Sequence, residues 1–144
     1  MTKQSILRRF QKDPGATSAV EFAMIAPCFI LLVFGILSFG TVFGIYHGVQ
    51  QLASEAARAS VAGLSDTEAD QIARSFVAAN VGSYAFLDPA DLTVSTSAGS
   101  GSSNTFKVSI RYDMSSLFVF GLSRLLPMPA PLVQRTAVIQ RGGY

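Results

Sequence analysis

The chain has 144 residues, of which 49% are hydrophobic and 14% are charged, whereas an average globular domain carries about 25% charged residues. This composition excludes a disordered chain, and the length allows at most one domain of ordinary size. The formal net charge is +2, and the positive excess comes from one short segment.

That segment is the amino-terminal tail. Its basic residues are Lys3, Arg8, Arg9 and Lys12. Asp13 opposes them, and from Gly15 onward seven basic residues face eight acidic ones. Phosphate binding needs clustered Lys and Arg. Because no such cluster lies beyond the tail, we expect no nucleic-acid partner.

An uncharged apolar segment follows, from Phe22 to Tyr46 (FAMIAPCFILLVFGILSFGTVFGIY). As a helix rising ~1.5 Å per residue it can cross a ~30 Å hydrocarbon layer, and it exceeds the apolar region of a secretory signal peptide. The rest of the chain is too short to cover all its faces as a core helix. We therefore predict a membrane span at about 22–46. The positive-inside rule predicts a cytoplasmic amino terminus and an external carboxy-terminal part.

The helical pattern continues past the span. Gln50 to Ala62 (QQLASEAARASVA) is rich in helix-forming residues, and Gly63 is typical of the position after a helix C-terminus. One continuous helix from about Val20 to Ala62 is therefore predicted.

A second, shorter helix is predicted after Gly63. Ser65 and Glu68 have the spacing of a capping box, in which each side chain bonds a free backbone N–H of the first turn. Asn80 and Gly82 are typical of a helix end. Apolar residues recur on one face between these limits: Ala69, Ile72, Ala73, Phe76 and Val77.

The remainder of the chain has strand patterns. Strands are predicted at Leu92–Ser97, Thr105–Asp113 and Val133–Arg141, with a glycine-serine turn at 98–104. The second strand alternates most clearly, because its apolar residues all fall on one face: Phe106, Val108, Ile110 and Tyr112. The fold class is therefore α+β, with a long transmembrane helix, a short helix and a small three-stranded antiparallel sheet.

An apolar connector, residues 115–131 (SSLFVFGLSRLLPMPAP), joins the second and third strands. Its three prolines, Pro127, Pro129 and Pro131, favour an extended chain over a helix. Two interpretations stay open. The connector covers the sheet, or it forms an exposed apolar patch that meets a partner subunit or the bilayer surface.

The residues needed for catalysis or metal binding are scarce. His47 is the only histidine, and Cys28, inside the apolar segment, is the only cysteine. The usual zinc ligand sets cannot be assembled from them, and neither a G-x-S-x-G motif nor a phosphate-binding glycine loop is present. We expect no enzyme, no metal, no cofactor and no small-molecule substrate.

Glu21 stands at the start of the apolar segment. A carboxylate that enters hydrocarbon costs a few kcal/mol and usually has a partner or a function. Alternatively, its side chain reaches back to the cytoplasmic interface, where it meets Lys12 or a lipid headgroup.

Three glycines, Gly40, Gly44 and Gly48, recur every fourth residue. This doubled G-x-x-x-G pattern lets helix backbones approach closely in lipid, so it predicts helix packing.

Pro27 should kink or loosen the helix, because its ring removes a backbone donor.

Several motifs of the first helix occur together: Gly15 to Ala23 (GATSAVEFA), then Pro27, Phe34-Gly35-Ile36 and Phe39-Gly40. This set resembles the TadE-like pseudopilins, minor pilin-like components of the tight-adherence (Flp) pilus, a branch of the type IV pilus systems. The resemblance covers about residues 8 to 62. The domain after it is similar only in its type IV pilin-like layout.

The resemblance implies processing by a prepilin peptidase, which removes the leader before the apolar helix. In the wider family the glutamate is the fifth residue of the mature chain, so Glu21 places the cut between Ala16 and Thr17. A cut between Gly15 and Ala16 would make it the sixth, and absence of cleavage is a third possibility.

The resemblance also implies an assembly role for Glu21, Phe22 and Pro27. The family glutamate is thought to neutralise the new amino terminus of a neighbouring subunit. Burying two opposite charges together costs far less than burying either alone. A proline near position 27 accompanies local unwinding when pilins assemble.

The predicted organisation is a basic leader at 1–16, a long helix at 17–62 and a periplasmic α+β domain at 63–144. The first hypothesis is a single-pass inner-membrane minor pseudopilin that acts in pilus assembly and surface adhesion and can enter the pilus. Its partners would be the membrane, the prepilin peptidase, other pilins and the assembly platform. The alternative is an uncleaved, signal-anchored periplasmic scaffold or binding module of an envelope complex.

Overall fold

The computed structural model describes residues 14–99 and 104–140. Two α-helices and one antiparallel sheet form the regular structure of these ranges: α1 (Pro14–Ser60), α2 (Asp66–Asn80), β1 (Leu92–Ala98), β2 (Thr105–Asp113) and β3 (Leu132–Gln140). Short 3₁₀ turns lie at Val81–Ser83, Pro89–Asp91 and Phe118–Leu122. The predicted α+β fold, with a long apolar helix, a short helix and three antiparallel strands, is confirmed.

Helix α1 begins at a proline, Pro14, whose fixed φ suits the first helical turn and whose missing N–H would have no partner there. The helix continues through Pro27 to Ser60, two residues before the predicted end. A last turn follows, in which the Gly63 N–H donates to the Ser60 carbonyl over 3.1 Å. The predicted stop at Gly63 therefore lies just beyond the helix.

Helix α2 starts at the predicted capping residues. The Ser65 hydroxyl accepts the Glu68 N–H over 3.2 Å, and the Glu68 carboxylate accepts the Leu64 N–H over 2.9 Å. These two bonds satisfy backbone donors that the first turn leaves free. The helix ends at Asn80, as predicted.

The sheet has the order β1-β2-β3, so β2 is the central strand. Val94 of β1 pairs with Ile110 of β2, which pairs in turn with Arg135 of β3. The alternation predicted for β2 is confirmed, because the side chains of its apolar face are buried: Phe106, Val108, Ile110 and Tyr112. Strand β3 begins at Leu132, one residue before the predicted start. Its predicted last residue, Arg141, lies outside the described residues, and so do residues 100–103 of the predicted turn.

The chain divides into two compact units, one that ends at Ser38 and one from Phe39 to Tyr144. We call them the amino-terminal unit and the head unit. The predicted division after residue 62 stays a prediction. In the structure, the part of α1 from Phe39 onward supplies core residues of the head unit: Val42, Ile45, Val49, Leu52, Ala53, Ala56 and Ala57. They share this core with α2 and the apolar face of β2.

The connector 115–131 leaves and rejoins the sheet at one point, because the Met114 N–H donates to the Pro131 carbonyl over 2.8 Å. Val119 is fully buried, and Leu117, Phe120 and Met128 pack against the core of the head unit. Phe118 and Leu125, by contrast, are 68% and 69% exposed. Part of the connector therefore covers the core, and part of it presents apolar side chains outward.

Candidate membrane and assembly surface

The amino-terminal unit presents an apolar surface on its helical residues 14–38. Its large apolar side chains from position 20 onward are exposed: Val20, Phe22, Met24, Ile25, Phe29, Ile30, Leu31, Leu32, Val33, Phe34, Ile36 and Leu37. The helix is long and apolar enough to cross a membrane. So many exposed apolar side chains need a nonaqueous environment. The segment therefore fits a membrane anchor.

Glu21 lies on this apolar surface. Its carboxylate is exposed, and so is the neighbouring Phe22, whose side chain is 73% exposed. The ion pair that the structure records in residues 14–99 and 104–140 joins Arg74 to Asp70. No cation of the described chain therefore neutralises Glu21, and Lys12, its alternative partner, lies outside the described residues. The carboxylate is accessible to a positive group that the described chain does not supply.

The residues of the predicted processing site lie in the first turn of α1. Because the helix begins at Pro14, Gly15, Ala16 and Thr17 are helical, and the side chain of Thr17 is exposed. The basic leader before them lies outside the described residues. Pro27 is exposed on the same helix, thirteen residues after Pro14.

The three spaced glycines have different surroundings. A Cβ at Gly40 would meet no atom within 4 Å. At Gly44 it would lie 3.3 Å from the ring of Phe86, and at Gly48 it would lie 3.4 Å from the side chain of Leu87. Two of the glycines thus make room for the segment 84–88 of the same chain. Packing of another helix on this face stays a prediction, and Gly40 is the open position.

Hydrogen bonds hold the segment 84–88 in place. The Tyr84 hydroxyl donates to the Glu55 carboxylate over 2.7 Å, and the Tyr112 hydroxyl donates to the Phe86 carbonyl over 3.2 Å. The Tyr112 oxygen also accepts the Asp88 N–H over 3.1 Å. Burial, and then the Glu55 carboxylate, raise the pKa of Tyr84 to about 12, while burial also raises the pKa of Tyr112. Both hydroxyls therefore stay protonated donors at physiological pH.

Phe86 has an unusual backbone conformation, with φ at 68°. A positive φ is a genuine outlier for a bulky side chain. No sequence signal indicated this strain, although the spacing of Gly44 and Gly48 marked the helix face on which Phe86 and Leu87 pack.

The carboxy-terminal part of the predicted span has a protein neighbour on one face. Val42 and Ile45 are buried in the core of the head unit, and Tyr46 packs against it. The Arg135 guanidinium carbon lies 5.2 Å from the centre of the Tyr46 ring, a cation–π contact. Protein rather than lipid therefore surrounds this face of residues 42–46, and Phe43, between them, is 57% exposed.

The single histidine and the single cysteine lie at separate positions of α1. His47 and Cys28 are both exposed. Within residues 14–99 and 104–140, no three of His, Cys, Asp and Glu come together in a group that could hold a metal ion. In helical residues 14–38, the outward-facing features are the apolar side chains and the carboxylate of Glu21.

Comparison with known families gives a match to part of α1. Residues 16–58 match the model of a family described as TadE-like protein. The resemblance expected from the sequence, over about residues 8 to 62, is confirmed for this range. The match covers the amino-terminal unit beyond residue 15 and continues into the part of α1 that belongs to the head unit. No curated protein and no solved structure matches the chain.

Proposed function

We propose that the chain is a minor pseudopilin, because its residues 16–58 match the TadE-like family model and so suggest a Tad pilus-associated protein. It is processed by a prepilin peptidase, joins other pilins at the assembly platform of a tight-adherence pilus, and supports surface adhesion. It performs no catalysis of its own.

The observation that carries this proposal is Glu21 on an exposed apolar helix. The carboxylate lies within the matched range, surrounded by side chains such as Phe22 that need a nonaqueous environment. An unpaired charge in the membrane is unfavourable. A positively charged amino terminus of an adjacent subunit would neutralise it, because burying two opposite charges together costs far less than burying either alone.

The location follows from the same helix. The apolar residues up to Leu37 anchor the chain in the inner membrane in a single pass. The basic tail stays cytoplasmic by the positive-inside rule, and the head unit lies in the periplasm. This orientation brings residues 15–17 to the cytoplasmic side, where the peptidase would remove the leader.

The assembly role is tested by substituting Glu21 in the cells that make the pilus. Glu21→Ala should insert in the membrane normally but should co-purify poorly with the other pilins. A lost interaction of about 1.4 kcal/mol already lowers an association constant tenfold, so we expect a loss of about tenfold or more. Glu21→Asp, which keeps the charge, is the matched control and should retain most of the association. Normal recovery of Glu21→Ala with the pilins would remove Glu21 from the mechanism.

The processing step is tested on the same membranes by intact mass and amino-terminal sequencing. A chain that begins at Thr17 or Ala16 supports cleavage by the peptidase. A chain that retains Lys3 to Lys12 would contradict cleavage and favour the uncleaved, signal-anchored scaffold. Deleting the peptidase gene should leave the full-length chain in the membrane.

A further inference from the structure

Three phenylalanines of the head unit are exposed, and they come from three separate segments of the chain. Phe43 lies on α1, Phe86 lies in the segment 84–88, and Phe118 lies in the connector; their side chains are 57%, 57% and 68% exposed. The other phenylalanines of the described head unit are buried or half-buried. Apolar side chains exposed singly are normal, whereas exposed apolar side chains that adjoin one another indicate an interaction surface.

The three segments that carry these phenylalanines approach one another at one end of the head unit. The ring of Phe86 contacts the backbone position of Gly44, next to Phe43. Phe86 and Leu117, the residue before Phe118, line the same open cleft beside Tyr112, near the end of β2. The opposite end of the unit lies where α1 finishes at Ser60, about 24 Å along the helix from Gly44.

The backbone of Phe86 supports a role beyond folding. Its φ of 68° is unfavourable for a bulky side chain, and a buried core contact would be an ordinary reason to tolerate it. Its ring is instead more than half exposed. Two hydrogen bonds of the Tyr112 hydroxyl, to the Phe86 carbonyl and from the Asp88 N–H, hold the segment in this conformation. The fold thus maintains an exposed aromatic ring at a strained position.

Chain continuity indicates what meets this end of the head unit. Phe43 follows the apolar helix by only a few residues, since the exposed apolar side chains of the amino-terminal unit extend to Leu37. A membrane that holds that helix therefore has its surface close to Phe43. Arg124, the single charged residue of the connector, is exposed. Phenylalanine and leucine combined with a basic residue are typical of segments that lie in the bilayer interface.

We propose that Phe43, Phe86 and Phe118 form an interfacial seat, by which the head unit inserts aromatic side chains into the outer leaflet of the bilayer that holds its own helix. This proposal rests on the membrane anchoring in the proposed function. The seat would fix the height of the head unit at the membrane surface before assembly. Extraction of the subunit into a pilus would then have to remove three aromatic rings from lipid.

The absence of tryptophan from the chain makes a direct test possible. Single-tryptophan variants of the full chain are reconstituted in vesicles of phosphatidylethanolamine and phosphatidylglycerol, with and without bromine on the acyl chains. The fluorescence of Phe118→Trp reports on the seat, because position 118 is far from the apolar helix in sequence. Phe43→Trp is the second reporter. Leu64→Trp, at a side chain 95% exposed near the opposite end, is the matched control, and Ile30→Trp reports the anchor.

The proposal predicts that brominated lipid quenches Phe118→Trp and Phe43→Trp several-fold more than Leu64→Trp, with a blue-shifted emission. Quenching of Phe118→Trp no stronger than that of Leu64→Trp, while Ile30→Trp is strongly quenched, would overturn the seat and leave the anchor standing. Absence of quenching at Ile30→Trp would instead show that the anchoring itself fails, and the seat with it. A blue shift of Phe118→Trp that grows with protein density but is insensitive to bromine would assign the surface to a second copy of the chain and overturn the proposal.

Discussion

Gly63 lies in the turn between α1 and α2, where the two helices approach closely. A Cβ at this position would lie 2.6 Å from the Ala69 nitrogen and 2.8 Å from the Ala69 Cα. These are backbone atoms within α2, and they cannot move away as the end of a flexible side chain can. Gly63 is therefore needed for the close approach of this turn to α2.

We expect Gly63→Ala to destabilise the head unit by about 1–3 kcal/mol, the range typical of overpacking a tight site. Urea unfolding of the full chain in detergent micelles, followed by circular dichroism, measures the change. Gly82→Ala is the control, because a Cβ at Gly82 would meet no atom within 4 Å. Equal stability of Gly63→Ala and Gly82→Ala would contradict the tight contact.

At the scale of elements, Asp70 links α2 to β1. Its carboxylate accepts a hydrogen bond from the Thr96 hydroxyl over 2.5 Å and pairs with the Arg74 guanidinium at 2.8 Å. Arg74 also donates to the Val94 carbonyl over 3.0 Å. The hydrogen bond from Thr96, and then Arg74, lower the pKa of Asp70 below its ordinary value, against the opposing effect of burial. The ionised carboxylate thus stabilises the contact between helix and sheet.

Because the pKa of Asp70 is lowered in the folded state, the free energy of unfolding depends on pH. The contribution of Asp70 is fully present above its unfolded pKa of about 4 and is lost as the pH falls through its folded pKa. Thr96→Val removes the largest cause of the shift. We expect it to reduce the free energy of unfolding at pH 7 by about 0.5–1 kcal/mol, since the pair is partly exposed to solvent. The loss of stability between about pH 5 and pH 3 should also be smaller in this variant than in the unsubstituted chain.

The matched control is Thr93→Val, the same change in the same strand at an exposed position. Urea unfolding of both variants at pH 7 and pH 3 measures the difference. An acid-induced loss of stability that is the same in Thr96→Val and Thr93→Val would exclude the Thr96 hydroxyl as the main cause of the low pKa of Asp70.

At the scale of the whole molecule, α1 serves two environments. Its residues up to Ser38 form the exposed amino-terminal unit, whereas from Phe39 onward it belongs to the head unit. Val42, Ile45 and Leu52 are essentially fully buried there. Burying one such side chain contributes about 1.5–3 kcal/mol, and the total stability of an ordinary domain is only about 5–15 kcal/mol. The head unit therefore depends on this part of α1 for its core.

We expect a fragment of residues 39–144 to fold and a fragment of residues 63–144 to fail. The first fragment keeps the α1 side chains of the core, and the second loses all of them. Thermal unfolding by circular dichroism distinguishes the two, because a cooperative transition requires a packed core. A cooperative transition in the 63–144 fragment would show that α1 is dispensable for the head unit.

The helices and strands could be predicted from the sequence, because each has a local signal. The uncharged run predicted the apolar helix, Ser65 and Glu68 predicted the start of α2, and the alternation of residues 105–113 predicted β2 at its observed bounds. The motifs around Glu21 also indicated the family that residues 16–58 match. Hydrophobic period, capping and short motifs are properties of neighbouring residues, which a sequence displays directly.

The contacts between these elements could not be predicted in this way. Composition alone could not show that Val42 and Ile45 are core residues of the head unit, because burial in protein and exposure to lipid both require apolar side chains. Nor could the glycine spacing show that Gly44 faces Phe86, since that contact joins positions 42 residues apart. Such contacts depend on how distant segments pack, and packing between distant segments leaves no periodic signal in the sequence.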